Sequence, residues 1–333
     1  MKVAALFLGL WMGGSASLFA QLADLPFQYH QADSVAALYP HHSLSDLRLL
    51  AHKLTASLAD SVVKFRAIYT WVCSNIQNDY HNFIVNESKR EKFADDPEKL
   101  RLWNKKFSKQ VVLTLVSKHK TICTGYAYLI RELSLHAGLP CEIINGYGRT
   151  SQSNIGGKGV ANHSWNAVHL KGKWYLCDAT WSSGVVDSYD GNFIKKYTDA
   201  YFLPKAELFA KNHYPLDTAW LLLKEHPTLQ NFLDAPLAYH ALFKYGIGKI
   251  YPEKFSLEAQ KNTLLTFSFC IPPGIYPSIE IQVIQSNHVL NTLSVTPANG
   301  MVQFEYDFTS KGLYIIHILF NKEAVLSYQV RIK

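Results

Sequence analysis

The apolar residues of this chain change their spacing between its first half and its C-terminal end, and this change limits the folds that the chain can adopt. An α-helix that packs on one face buries a residue every three or four positions, whereas a half-buried strand buries every second residue. The chain shows the first spacing up to about residue 140 and the second from about residue 264. We therefore predict an α+β protein whose core is followed by an all-β region.

Helical spacing is clearest over residues 34–78 and again over residues 121–140. The first segment carries two apolar stripes, Leu47/Leu50/Leu54/Leu58 and Phe65/Ile68/Tyr69/Val72. The second segment carries one stripe, Tyr126/Leu129/Ile130/Leu133/Ala137, and Gly138 and Pro140 provide its stop. The charged residues 86–102 between them are predicted to form a surface excursion, after which residues 107–119 return to helical spacing.

Alternating spacing in the C-terminal region predicts five short strands separated by glycine and proline turns. Such a pattern is typical of a β-sandwich. The predicted strands are Leu265/Phe267/Phe269, Ile279/Ile281/Val283, Val302/Phe304/Tyr306, Leu313 to Phe320 and Val325 to Ile332. We place the domain boundary between residues 245 and 262 and expect the sandwich to be separate from the preceding core.

Residues 1–20 have the layout of a secretory signal peptide. Lys2 is followed by an apolar run from Val3 to Met12 and then by small residues. We expect cleavage after Ala20, with Ala16 or Ser17 as alternative sites and an uncleaved anchor as the other interpretation. No later stretch has the apolar length of a membrane span, so the expected location of the mature chain is secreted or periplasmic.

Charge and cysteine content argue against two classes of function. The formal net charge is +7, but the lysines are scattered and do not gather with aromatic residues on one face, so nucleic acid is not an expected partner. The five cysteines lie far apart without a CxxC pair, which argues against a zinc site and a dense disulfide framework. We predict no metal and no cofactor. The odd cysteine count leaves at least one thiol free in an exported protein.

Cys123 lies at the start of the helix predicted over residues 121–140. A helix N-terminus offers partial positive charge and free backbone N–H groups, which favour a reactive thiolate. The same N–H groups can hold the oxyanion that forms when a thiolate attacks an amide carbonyl. Cys123 is thus the candidate nucleophile, although an inert core cysteine is the commoner outcome at such a position. We interpret Cys73, Cys141 and Cys177 as core cysteines.

A histidine and an aspartate on a predicted hairpin are the candidate base and its partner. The two strands meet at Lys171-Gly172-Lys173. With a two-residue turn, Asp178 lies opposite Trp165 and is a diagonal neighbour of His163 on the same face. A three-residue turn would send the two side chains to opposite faces. Capping or surface roles are the alternatives for both residues, and only the ordered combination with the cysteine points to a triad.

Three sequence blocks resemble those around the Cys, His and Asp of the transglutaminase-like superfamily. They follow the same order along the chain and read TICTGYA over residues 121–127, NHSWNAV over residues 162–168 and LCDATW over residues 176–181. Residues 69–80 are similar to the helix that opens that domain, and residues 201–223 are similar to an extension found in kyphoscoliosis-peptidase-like members. The resemblance covers about residues 59–245.

For the fold, the resemblance implies a papain-like core over residues 21–245, with N-terminal helices and the family-type extension, followed by an immunoglobulin-like β-sandwich over residues 262–333. For the chemistry, it implies that Cys123, His163 and Asp178 form a triad that hydrolyses or transfers amides without a metal. No glutamine stands at a spacing that can be assigned to the oxyanion site, which leaves backbone N–H groups for that role.

Two functions fit these residues. The first is an exported cysteine peptidase or amide acyltransferase that acts on protein or cell-envelope amides, and for it we assign Tyr126 and Trp165 to substrate binding. The second is a non-catalytic interaction module in a cell-envelope or secreted assembly. His213 keeps two interpretations, a structural residue or a contact of the active-site region.

Overall fold

The computed structural model describes residues 25–93, 95–187 and 190–333. The predicted signal peptide over residues 1–20 lies outside the described residues and stays a prediction. None of the helices in the described ranges is both long and apolar enough to cross a membrane. The helices are α1 (Leu25–Ala37), α2 (Leu47–Thr55), α3 (Ser61–Asn75), α4 (Tyr80–Lys92), α5 (Pro97–Lys118), α6 (Cys123–His136), α7 (Ala179–Ser183), α8 (Ala206–Phe209), α9 (Leu229–Asp234) and α10 (His240–Tyr245).

Strands alternate with these helices up to residue 245 and then make up the rest of the chain. In the first part they are β1 (Gln77–Asn78), β2 (Lys120–Thr121), β3 (Cys141–Gly148), β4 (His163–Leu170), β5 (Lys173–Cys177), β6 (Gly184–Val186), β7 (Phe193–Lys195), β8 (His213–Pro215) and β9 (Leu237–Ala238). In the second part they are β10 (Gly248–Tyr251), β11 (Ser256–Ala259), β12 (Leu264–Cys270), β13 (Ile279–Gln285), β14 (His288–Val295), β15 (Met301–Asp307), β16 (Gly312–Phe320) and β17 (Glu323–Ile332).

The N-terminal helices form one side of the core. Asp46 and Asp60 cap α2 and α3 by accepting hydrogen bonds from first-turn N–H groups. The predicted stripes are buried in two neighbouring clusters, and the larger cluster also contains the apolar face of α6 and residues of β3 and β4. The central helix α6 is therefore fixed between the other helices and a sheet.

The segment predicted as a surface excursion, residues 86–102, is largely exposed and mostly helical. Residues 86–92 lie in α4 and residues 97–102 lie in α5. Asp96 caps α5 and Pro97 occupies its first turn, where the missing N–H of proline costs nothing. The helical spacing of apolar residues is hard to see in this segment, because the two helices are largely exposed and bury only a narrow apolar face.

An antiparallel sheet in the order β5-β4-β3-β8 packs against α6. The β4–β5 hairpin turns at Lys171 and Gly172, which both have positive φ, so the turn has two residues. Asn166 pairs with Cys177 in this hairpin, which is the register that the triad requires. The even-length turn predicted from the sequence is thus confirmed.

The C-terminal region contains two sheets, β10-β12-β15 and β11-β17-β16-β13-β14, and β9 pairs with β17 at the edge of the second. Aromatic contacts join the sheets, with Phe267 against Tyr328 and Phe269 against Phe320. All five predicted strands are present. The sequence pattern missed β14 because this edge strand has no buried face.

The β-rich region begins before residue 262 and packs directly on the core. Strands β10 and β11 pair with β12 and β17, and β9 pairs with β17 through Leu237 and Ala238. One apolar cluster runs from Trp165 of β4 through Leu242 of α10 to the inner faces of both sheets. The strands of residues 262–333 do not join the core sheet, and the division into two domains stays a prediction, although the two parts share this apolar cluster.

Candidate active site

Cys123 is the first residue of α6, as the sequence predicts. Ile122 precedes it in an extended conformation and makes no side-chain cap, so the first N–H groups of the helix are left without that partner. A Cβ atom at Gly125 would lie 1.9 Å from Oγ1 of Thr121, so glycine is needed where the helix starts against β2. This close approach brings the first turn of α6 against Thr121 of β2.

His163 is the first residue of β4 and pairs with Gly146 of β3. Its Nε2 lies 2.7 Å from Oδ2 of Asp178. The Cys123 thiol lines the same cavity as this imidazole and helps to raise its pKa. A Cβ atom at Gly148 would lie 2.8 Å from Cβ of His163, so this glycine gives the imidazole its space.

Asp178 is held by contacts to both of its oxygens and to its backbone. Its Oδ1 caps α7 and accepts hydrogen bonds from the N–H groups of Thr180 at 2.8 Å and Trp181 at 3.2 Å. Its Oδ2 is left for the histidine. The hydroxyl of Tyr69 on α3 lies 2.8 Å from the Asp178 carbonyl oxygen. A cap that orients one carboxylate oxygen thereby aims the other at His163.

His213 of β8 contacts the same carboxylate. Its Nε2 lies 3.1 Å from Oδ2 of Asp178, and its Nδ1 lies 2.7 Å from Oδ1 of Asn212. The ring stacks on Phe209 with 3.8 Å between centroids. A neutral imidazole carries one N–H, so donation to Asp178 requires the Asn212 amide to present its NH₂ group to Nδ1. Of the two interpretations of His213, the geometry supports contact with the active site.

The pKa values of His163, Asp178 and His213 are shifted in different directions by their surroundings. Burial disfavours the charged form of His163, but the Asp178 carboxylate and the Cys123 thiol outweigh burial and raise the pKa of His163 to about 10. Burial alone would raise the pKa of Asp178, yet the two imidazoles hold it well below its usual range. Burial lowers the pKa of His213 to about 4 despite the neighbouring carboxylate. At neutral pH an imidazolium and a carboxylate face each other, with a neutral imidazole beside them.

A metal ion could in principle use the same three side chains. One ligand atom each from His163, Asp178 and His213 lies within 4.8 Å of the others. A metal would need a lone pair from every ligand at about 2.0–2.2 Å. The 2.7 Å contact between His163 and Asp178 instead holds an N–H between nitrogen and oxygen. We therefore interpret the group as a proton-transfer site.

Aromatic rings shield the base. Trp181 stacks on His163 with 4.7 Å between centroids and an interplanar angle of 21°, and it also contacts His213. The prediction that Tyr126 and Trp165 bind substrate does not agree with the structure, because both are 1% exposed. Tyr126 donates to the carbonyl of Ile76 in the core, and Trp165 packs on His213.

A cavity of about 240 Å³ opens beside the thiol. That volume corresponds to about eight water molecules, which suits an amide group and the atoms next to it. The walls come from α4 (Phe83, Asn86, Arg90), the start of α6 (Ile122, Cys123, Thr124) and the β3–β4 region (including Asn145, Asn162, His163). The sequence analysis did not predict that α4 forms a wall of this cavity. It also did not predict that Trp181 stacks on His163, although the LCDATW block contains this tryptophan.

Cys123, His163 and Asp178 stand at a helix start, a strand start and a helix N-cap, in this order along the chain. Residues 48–179 match the family model of the Transglutaminase-like superfamily, and this match includes all three residues. The chain thus contains a transglutaminase-like core over these residues, which confirms the resemblance seen in the sequence. The β-rich C-terminal region follows this core.

Curated relatives agree with the family. The chain is 30% identical to kyphoscoliosis peptidase of Mus musculus over 211 residues, which are 63% of this chain and 29% of the relative. It is 29% identical to kyphoscoliosis peptidase of Homo sapiens over 231 residues, 68% of this chain and 32% of the relative. It is 24% identical to Hillarin of Drosophila melanogaster over 240 residues, 68% and 27% of the two chains. This chain spans no more than about a third of these relatives.

Proposed function

We propose that this protein is a thiol-dependent amide hydrolase or acyltransferase in which Cys123 is the nucleophile, His163 the proton carrier and Asp178 the residue that orients the imidazole. One observation carries the proposal: Nε2 of His163 lies 2.7 Å from the Asp178 carboxylate, and the same imidazole lines one cavity with the Cys123 thiol. A buried base held between a carboxylate and a thiol at a helix N-terminus can form a thiolate–imidazolium pair.

The chemistry then follows in two halves. The Cys123 thiolate attacks the substrate carbonyl carbon, a C–S bond forms, and the π electron pair moves onto oxygen as the oxyanion. When the C=O bond is restored, the C–N bond breaks and the leaving amine takes a proton from the His163 imidazolium. Water or a second amine next attacks the thioester, gives its proton to His163 and releases the thiolate. Water yields hydrolysis and an amine yields acyl transfer.

The setting of this activity is part of the proposal. The apolar run after Lys2 supports export to a secreted or periplasmic location, and the mature chain would begin near Gln21. A protein or cell-envelope peptide is the proposed partner, because a protein substrate fits a transglutaminase-like core. The two C-terminal sheets support an immunoglobulin-like domain beside the core. Intact-mass measurement of the exported protein tests the first point, since a chain that retains Met1 to Ala20 would contradict it.

The activity is tested by acylation with p-nitrophenyl acetate, an activated ester that needs no specific recognition. We expect mass spectrometry to locate the acetyl group on Cys123, and Cys123→Ala to abolish p-nitrophenol release. His163→Ala should slow acylation by roughly 10²- to 10⁴-fold because the thiol loses its base. Cys270→Ala is the matched control, since Cys270 is a free thiol of the β-rich region far from the triad in sequence.

Equal acylation of Cys123 in the parent and in His163→Ala would remove the base from the mechanism, and the non-catalytic interaction module would replace the enzyme. Labelled casein with and without monodansylcadaverine then separates the two reactions. Peptide release without the amine indicates hydrolysis, and incorporation of the dansyl group indicates transfer.

A further inference from the structure

The proposed reaction needs a hydrogen-bond donor for the oxyanion besides the N–H groups of α6. Enzymes that develop negative charge on a carbonyl oxygen usually place two donors around it. The sequence offers no glutamine for this purpose. The cavity beside Cys123 has a wall made by α4, and one buried amide side chain, Asn86, lines it.

Asn86 is buried to more than nine-tenths, and only one of the two polar groups of its side-chain amide makes a hydrogen bond within the protein. Its Oδ1 accepts a hydrogen bond from the indole N–H of Trp103 at 3.0 Å. Its NH₂ group has no hydrogen-bond partner in the part of the chain that the structure describes. Because the indole holds the oxygen, the two N–H donors of the amide are directed away from Trp103. This NH₂ group is not fully enclosed by protein atoms, so it is open to the cavity that Asn86 lines and can donate to a group bound there.

Packing connects this amide to the nucleophile. Trp103 stacks on Phe107 of α5 with 5.3 Å between centroids. Phe107 lies in one apolar cluster with Ile122, the residue that precedes Cys123. The α5 helix therefore sets the distance between the cavity face of α4 and the first turn of α6. Asn86 and the uncapped N–H groups of Cys123 and Thr124 line the same cavity.

We infer that the Asn86 side-chain amide donates a hydrogen bond to the oxyanion formed on the substrate carbonyl, and that Trp103 positions this amide. The inference rests on the proposed function. The π electron pair that moves onto oxygen as the C–S bond forms is stabilised by the Asn86 NH₂ group and by a backbone N–H of α6. Asn86 is thereby a catalytic residue, and Trp103 is a positioning residue because it acts through Asn86.

Two reactions at the same thiol separate this role from a structural one. Acylation by p-nitrophenyl acetate passes through an oxyanion, whereas alkylation by iodoacetamide displaces iodide at a saturated carbon and forms none. We expect Asn86→Ala to slow acylation of Cys123 by about 100-fold and to leave its alkylation rate unchanged. Trp103→Phe, which keeps the ring and loses the N–H, should slow acylation by about tenfold, again without affecting alkylation. Ser88→Ala, an exposed change on the same helix, is the control.

Each outcome decides the matter. Asn86→Ala with a parental acylation rate, in a protein whose acylation still depends on His163, would overturn the inference and leave the proposed function standing. An equal fall in acylation and alkylation would also overturn it, because Asn86 would then act on the fold or on the thiol. If His163→Ala were acylated as fast as the parent, the proposed function itself would be contradicted. Asn86→Asp, which keeps the shape and replaces donors by a carboxylate, should slow acylation at least as strongly as Asn86→Ala.

Discussion

The imidazole of His213 lies 3.1 Å from Oδ2 of Asp178, the oxygen that also faces His163. One carboxylate oxygen thus joins two histidines in opposite protonation states. The neutral His213 can donate a hydrogen bond without adding a second positive charge, so Asp178 keeps its full negative charge for the His163 imidazolium. A second cation at this place would compete with His163 for the same carboxylate.

His213 should make the protein sensitive to acid. Because burial lowers its pKa to about 4 in the folded protein, the unfolded chain binds a proton at this histidine between about pH 6.5 and pH 4 while the folded protein does not. Unfolding free energy should therefore fall as the pH falls through this window, by up to about 1.4 kcal/mol for each pH unit.

His213→Gln tests this expectation, since glutamine can donate to Asp178 and cannot be protonated. Urea unfolding from pH 7 to pH 4 should show a smaller loss of stability in the variant than in the parent. Parallel curves for the two proteins would show that His213 does not carry the acid sensitivity. Titrating groups that do not contact His213 contribute equally to both curves, so the difference reports on His213 and its contacts with Asp178 and His163.

Asp178→Asn should reduce acylation of Cys123 by roughly three to four orders of magnitude, because the amide leaves the imidazole in the wrong tautomer and without its counter-ion. Removal of the carboxylate also removes the main cause that raises the pKa of His163, so that pKa should fall. NMR titration of the His163 ring checks the shift, and Asp307→Asn, at an exposed position of β15, serves as the control for the change of charge. A variant that titrates like the parent would contradict the assigned role of Asp178.

Much of this site could be predicted because local rules placed its parts. The stop at Gly138 and the stripe of α6 fixed a helix start at Cys123, and the parity of a two-residue turn put Asp178 near His163. The contribution of α4 could not be predicted, because Asn86 lies in a charged segment whose helical character becomes clear only through its packing on α5. His213 comes from a short strand far along the chain, and only the β3–β8 pairing brings it to the carboxylate.

In the fold, too, the local elements could be predicted and the contacts between distant elements could not. Alternation within single strands predicted five strands of the C-terminal sheets correctly, since each has one buried face. The contact between the sheets and the core depends on Leu237, Ala238 and Leu242, whose short segments carry no clear period. Sequence spacing therefore gave the elements and left their mutual packing undetermined.

Gly148→Ala should disturb the base without touching a polar group. The new Cβ atom would lie 2.8 Å from Cβ and 3.0 Å from Cγ of His163, so the ring must shift. A displacement of about 1 Å can reduce a rate by about 100-fold, and we expect a loss of that size in Cys123 acylation. Gly248→Ala, where no atom lies within 4 Å of the added Cβ, is the matched control and should act like the parent. Full activity of Gly148→Ala would mean that the ring has more room than the contacts allow.

Leu242→Ala tests whether the core and the β-rich region are stable as one unit. Leu242 is fully buried in the cluster that contains Trp165 of the core and the inner faces of both sheets. Loss of its side chain should lower the unfolding free energy by about 2–5 kcal/mol, since a large buried residue is replaced by a small one. Because the truncated side chain leaves an empty space in the cluster shared by the core and the sheets, both parts should unfold in one transition at a lower denaturant concentration.

Two measurements follow the two parts separately. Exposure of Cys123 to iodoacetamide reports on the core, and amide hydrogen exchange of β16 reports on the sheets. Val289→Ala, an exposed change on the edge strand β14, should leave both transitions in place. Two separated transitions in the parent, with only one of them moved by Leu242→Ala, would show that the sheets and the core fold independently.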